Sequence, residues 1–120
     1  MADRVLHISW RAPVPGREER GLEVFNEAMG LYGRMQQDGR IESFDVALFS
    51  ANSDLNGYIE LHGTHDQLDA AQQDEEFQRI LVDASLSVSD LRVAEAVTNE
   101  GVAEAMGRYQ AAIGKVPQSA

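Results

Sequence analysis

Polar and apolar residues alternate along residues 4–11 (RVLHISWR). Leu6, Ile8 and Trp10 share one side and Val5, His7 and Ser9 the other, a period of two that predicts a strand. Pro13, Pro15 and Gly16 then interrupt the pattern. Over residues 17–38 the period changes. Leu22, Val24, Phe25, Ala28, Met29, Leu31, Tyr32 and Met35 fall on one arc of a helical projection, and Glu19, Arg20, Glu23, Asn26, Glu27 and Arg34 take the other. This predicts a long amphipathic helix lying on a core, with Gly39 as its C-terminal stop.

Alternation returns over residues 41–50 (IESFDVALFS) and 57–63 (GYIELHG). The polar stretch ANSDLN between them supplies a turn, so the two strands form a hairpin. Thr64 and Gln67 have the spacing of a capping box and predict a helix start. Asp74 has the character of a second cap, ahead of a short helical piece carrying Phe77, Ile80, Leu81 and Ala84. Residues 88–97 (VSDLRVAEAV) are expected as a fourth strand. A last helix is expected from about Thr98 to Ile113, with Val102, Ala105, Met106, Tyr109, Ala112 and Ile113 on one stripe, followed by a frayed tail over 115–120.

The order strand, helix, strand, strand, helix, strand is the split βαβ or ferredoxin-like pattern. The expected fold is α+β: a four-stranded antiparallel sheet with helices on one face and an added C-terminal helix. Residues 1–114 would make one domain. Leu6, Ile8, Trp10, Phe44, Val46, Leu48, Ile59, Leu61 and Val93 would meet the helices. The opposite face would carry His7, Ser9, Ser43, Asp45, Ala47, Tyr58, Glu60, His62, Arg92, Ala94 and Ala96.

Composition narrows the functional classes. The 120 residues include 20 acidic and 10 basic side chains, a net charge of −10. Nucleic acid and anionic membrane surfaces both attract basic patches, so neither is an expected partner. The chain has no cysteine, which removes disulfides, thiolate catalysis and cysteine-bearing metal motifs. No apolar run approaches the length of a secretory leader or a membrane span, so the cytoplasm is the expected location. No glycine-rich phosphate loop and no GxSxG nucleophile elbow occur in the sequence.

Candidate chemistry gathers on the polar sheet face. His7, Asp45, Tyr58 and His62 are the candidate catalytic residues, with Ser9, Glu60 and Arg92 as candidate ligand contacts. A histidine beside Asp45 or Glu60 could serve as a general base with an orienting carboxylate. Tyr58 and Arg92 could stabilise an enolate or phenolate oxygen. The competing reading is a polar dimer interface or a solvated sheet surface. His62 and His65 have HxxH spacing, but one ends a strand and the other opens a helix, so they are expected to diverge and no metal or cofactor is expected. Residues 52–57 match the first half of a calcium loop. The pattern then fails, since Gly63 stands where a bidentate glutamate is required.

In layout, length and the two-piece helical block before the last strand, residues 4–97 resemble the dimeric α/β-barrel superfamily, with GYIELHGTHDQLDAAQQDEEFQRIL as the most similar stretch. That group includes antibiotic-biosynthesis-type monooxygenases, EthD-like proteins and stress-responsive barrel proteins. The resemblance implies a homodimer in which two open sheet faces enclose a small organic ligand. It also implies, as one alternative, cofactor-free oxygenation or isomerisation of an aromatic or lactone substrate. A non-enzymatic dimerisation module is the other alternative. The added C-terminal helix departs from the minimal pattern, and its stripe must be covered by something.

Overall fold

The structure, a computed structural model, describes residues 3–117 and 119. The elements in chain order are β1 (Arg4–Trp10), β2 (Ala12–Pro13), α1 (Glu18–Gln37), β3 (Ser43–Leu48), β4 (Gly57–Gly63), α2 (His65–Gln73), α3 (Glu75–Ser85), β5 (Val88–Ser89), β6 (Arg92–Val97) and α4 (Glu100–Ile113). Strands β3, β4, β1 and β6 form one sheet in that spatial order. Every neighbouring pair is antiparallel. This is the ferredoxin-like arrangement, with α4 appended.

Register fixes two unlike faces, because successive side chains on a strand point to opposite sides. Leu6 opposes Leu61 and Ile8 opposes Ile59 on the helix side. All four are at most 4% exposed. Val24, Ala28, Leu31, Tyr32 and Met35 of α1 cover them together with Leu68, Phe77 and Ile80. Each large apolar side chain removed from water in this way contributes about 1.5–3 kcal/mol.

Helix ends follow the local sequence. At the C-terminus of α1, Gly39 takes φ 75°, a left-handed value that glycine adopts without steric cost. The Gly39 N–H donates to the Gln36 carbonyl and the Arg40 N–H to the Met35 carbonyl, which is the Schellman arrangement. Thr64 and Gln67 complete a reciprocal capping box at α2. The Asp74 carboxylate accepts from the Phe77 N–H at α3.

Four expectations are corrected. The segment 88–97 is not one strand. Asp90 adopts φ 53° and turns the chain, so Val88–Ser89 leaves the main sheet and pairs with Ala12–Pro13 in a small ribbon. Proline is tolerated there because a two-stranded ribbon has only edges. The last helix starts at Glu100 rather than Thr98, since Asn99 has φ 52° and the Thr98 N–H is held by the Asp3 carbonyl. Val46 and Leu48 point to the helix side as expected but are 38% and 64% exposed, because the core packs on β3 at Phe44 and thins toward its other end. Leu22 lies at the rim of the helix layer and is 62% exposed.

Candidate functional site

The open sheet face brings the sequence-derived candidates together from four strands. Across it run three rows: Ser43, His62, Val5 and Ala96; Asp45, Glu60, His7 and Ala94; Ala47, Tyr58, Ser9 and Arg92. His7 Nδ1 donates to Glu60 Oε2 at 2.8 Å. His62 Nε2 donates to Asp45 Oδ2 at 2.7 Å. These bonds set the neutral tautomers, leaving the lone pair of His7 on Nε2 and that of His62 on Nδ1. Each histidine therefore has its own carboxylate: Asp45, Glu60 and His7 share one row, and His62 reaches Asp45 from the next. The His7 ring also stacks on Tyr58, with centroids 5.5 Å apart, and the Phe49 ring lies 5.9 Å from that of Tyr58.

Ser9 is 3% exposed between Tyr58 and Arg92. Arg92 is exposed and makes no ion pair among the described residues. The face thus holds two oriented imidazoles, a phenol and a guanidinium, a set that can move a proton and stabilise an oxyanion. His62 and His65 diverge as expected. His65 Nδ1 donates to Glu95 Oε2 at 2.9 Å, away from Asp45. The hydrogen bond to Glu95 raises the His65 pKa. Burial pushes the Glu95 carboxyl up, but His65 and Arg4 outweigh it and hold the group below its ordinary value.

A second feature lies on the other side of the sheet and was not foreseen. A cavity of about 260 Å³ opens between the sheet and the N-terminal half of α1, bounded by Trp10, Phe25, Tyr32, Leu48, Asn56 and Leu91 among others. Its walls are almost entirely apolar. The Trp10 indole N–H donates to Asn56 Oδ1 at 2.7 Å, and the Asn56 N–H donates to the Trp10 carbonyl at 3.0 Å. Ring and loop are locked together by these two bonds. Gly57 leaves the room this needs: a Cβ there would come 2.6 Å from the Ala47 carbonyl oxygen and 3.2 Å from the Trp10 ring.

Tyr32 is 1% exposed, and its hydroxyl has no hydrogen-bond partner among the described residues. Burial alone raises its pKa, so at neutral pH it is a phenol that can donate. No described side-chain N or O atom is both fully buried and unpaired. The Tyr32 oxygen is therefore not wholly sealed from solvent, and Tyr32 is one of the residues lining the cavity. The Asn56 amide N–H₂ likewise has no acceptor among the described residues. Sequence patterning hid both residues: Tyr32 falls on an apolar helix arc, and Asn56 belongs to a polar turn. The usable signal was chemical, since a tyrosine on a buried arc must place its hydroxyl somewhere polar or open.

No known protein-family model matches the sequence, and no curated protein is significantly similar to it. Solved structures do match. A dimeric ferredoxin-like protein of unknown function from Bacteroides fragilis is 13% identical, with TM-score 0.58, over 78% of this chain and 95% of its own. A dimeric ferredoxin-like protein of unknown function from Jannaschia sp. is 16% identical, with TM-score 0.60, over 78% and 97%. A point mutant of SnoaB, a cofactor-independent oxygenase from Streptomyces nogalater, is 12% identical, with TM-score 0.63, over 82% and 95%. The chain shares its ferredoxin-like architecture with these proteins. At such identities the likeness is one of fold, and function is argued from the site.

Proposed function

We propose that this protein is a homodimer that binds a small, ring-bearing organic molecule in the cavity between its helices and its sheet. The observation that carries the reading is an apolar cavity lined by Tyr32, whose hydroxyl has no hydrogen-bond partner among the described residues. An apolar cavity of about 150 Å³ already accepts benzene, so the 260 Å³ here suits a molecule of about two fused rings. Tyr32 and Asn56 both offer donors, so the ligand should carry an accepting oxygen. Dimerisation is supported by the dimeric state stated for the Bacteroides and Jannaschia proteins.

Naphthol is a suitable probe. Trp10 is the single tryptophan and lines the cavity, so binding should quench its fluorescence. Replacing Tyr32 with Phe removes one hydrogen bond, worth about 1 kcal/mol, and should weaken binding about fivefold. An unchanged Trp10 signal and an unchanged melting temperature at millimolar naphthol would defeat the reading.

A second reading rests on the two histidine–carboxylate pairs. With the open face covered by a second copy, His7 and His62 would take a proton from a phenol or enol, Glu60 and Asp45 would hold the imidazolium, and Tyr58 and Arg92 would carry the oxyanion. Ser9 would line the same space. The cofactor-independent oxygenase among the structural neighbours supports chemistry of this class. The test is a His7→Ala, His62→Ala pair: intact fold and dimer with lost ligand turnover supports it, whereas a dispersed dimer assigns these residues to assembly.

A further inference from the structure

The chain leaves two complementary surfaces uncovered. One is α4. Its Val102, Met106 and Tyr109 are 44%, 52% and 61% exposed, and Gly101 is its only buried residue. Gly101 anchors the helix where a Cβ would touch Val97 and the Asp3 carbonyl. Beyond that anchor α4 reaches away from the body. The radius of gyration is 17.0 Å and the longest dimension 53 Å, against about 14 Å for a compact domain of this length. A helix of about this length is marginally stable alone in water, so an apolar stripe on it needs a surface.

The other is the helix-facing side of β3. Val46 and Leu48 belong to the edge strand and are 38% and 64% exposed. Leu48 and the exposed Leu22 both line the cavity, so this bare strip adjoins its mouth. In the chain itself α4 follows β6, the opposite edge of the sheet, and no α4 residue lines the cavity. A helix without a sheet and a sheet edge without a helix, at opposite sides of one chain, are satisfied together by exchange between two copies.

We propose that α4 crosses to a second copy and seats Val102, Met106 and Tyr109 on Val46 and Leu48, so that each cavity is completed by the partner. The part concerning the cavity rests on the ligand-binding reading above. Charge favours a second copy as the occupant. The α4 segment carries Glu100, Glu104 and Arg108, with Lys115 just beyond, and is near neutral in a chain of net charge −10. A basic partner would be met by acidic residues, whereas an acidic chain that meets itself needs a neutral contact. A 14-residue helix is about 21 Å long and 10 Å wide. Two reciprocal arms would thus bury about 800 Å², short of the roughly 1,200 Å² of a stable interface. The open sheet faces must supply the remainder, which keeps the two contacts part of one assembly.

The chain has no cysteine, so the contact can be trapped directly. Leu48→Cys and isotope-labelled Met106→Cys chains, both altered at exposed positions, are mixed and oxidised, and the products weighed. A disulfide joining the two kinds of chain is the expected result. Only Met106→Cys homodimers, or no cross-link, would overturn the seating. An intrachain bridge in the Leu48→Cys/Met106→Cys double variant would overturn it too, by folding α4 onto its own sheet. Naphthol release from the trapped dimer should be about tenfold slower than from a Met106→Glu variant, and equal rates would overturn the completed cavity. If the unmodified protein binds no naphthol, the ligand reading fails while the disulfide still decides the seating.

Discussion

Gly57 is the position where one methyl group tests the fold and the cavity together. It is the first residue of β4, opposite Trp10 on β1 and Leu48 on β3. An added Cβ would lie 2.6 Å from the Ala47 carbonyl oxygen, 2.8 Å from Leu48 Cδ2 and 3.2 Å from Trp10 Cζ2. Leu48 can rotate away. The carbonyl belongs to the neighbouring strand and cannot move without separating β3 from β4. Overpacking of this kind costs about 1–3 kcal/mol, so Gly57→Ala should lower the melting temperature by about 4–12 °C for a domain of this size. The same change at Gly33, where a Cβ meets nothing within 4 Å on a helix, should instead stabilise by about 0.5–1 kcal/mol. Urea unfolding of both variants at one protein concentration makes the comparison. Equal stability of Gly57→Ala and wild type would refute the close approach of β3 and β4, and with it the placing of Trp10 at the cavity.

Asn56→Ala removes the acceptor of the Trp10 indole N–H; it should cost about 1 kcal/mol and shift the emission of the single tryptophan, and unchanged emission would show the bond does not persist in solution. His65 should titrate above its ordinary value by NMR and fall back in Glu95→Gln, because its raised pKa comes first from the Glu95 hydrogen bond. Stability linked to His65 is therefore fully present below its unfolded pKa and lost as pH rises through the folded one. That linked to Glu95, whose pKa is lowered, is present above its unfolded value and lost as pH falls through the folded one. A His65 titrating at or below its ordinary value would break this account.

Local patterning revealed most of the architecture because each element announces itself within a few residues. The alternation of β1, β3 and β4, the capping box at Thr64 and the left-handed Gly39 are all short-range features, and the fold follows from their order. What patterning could not show was where the helix layer ends. Val46 and Leu48 have the same alternation as Ile59 and Leu61, yet on the edge strand only Phe44 packs on the core. The break at Asp90 was equally hidden, since Asp90 has the parity of Arg92, Ala94 and Ala96 and suits a strand's polar face. The open-face candidates were legible because strand parity alone places His7, Asp45, Glu60 and His62 on one side. The cavity was not, because it arises from a gap between side chains of α1, α3 and five strands that only packing creates.

Two chains of net charge −10 must come together for either reading of this protein to hold, and the charge is distributed in a way that permits it. Helices α1, α2 and α3 carry nine acidic residues against three arginines, on surfaces facing away from the sheet's open side. On that open side Asp45 and Glu60 are each held by a histidine, and Arg92 adds a positive charge. Repulsion between two copies thus acts at long range between helix layers, while the open faces carry few charges. Salt screens the first with a Debye length of about 10 Å at 0.1 M and leaves apolar contact intact. Dimer affinity, followed by sedimentation, should therefore tighten as salt rises. Weakening with salt would mean that ion pairs across the interface hold the two copies together. In that case the His–carboxylate pairs would belong to the partner contact and not to a site for chemistry.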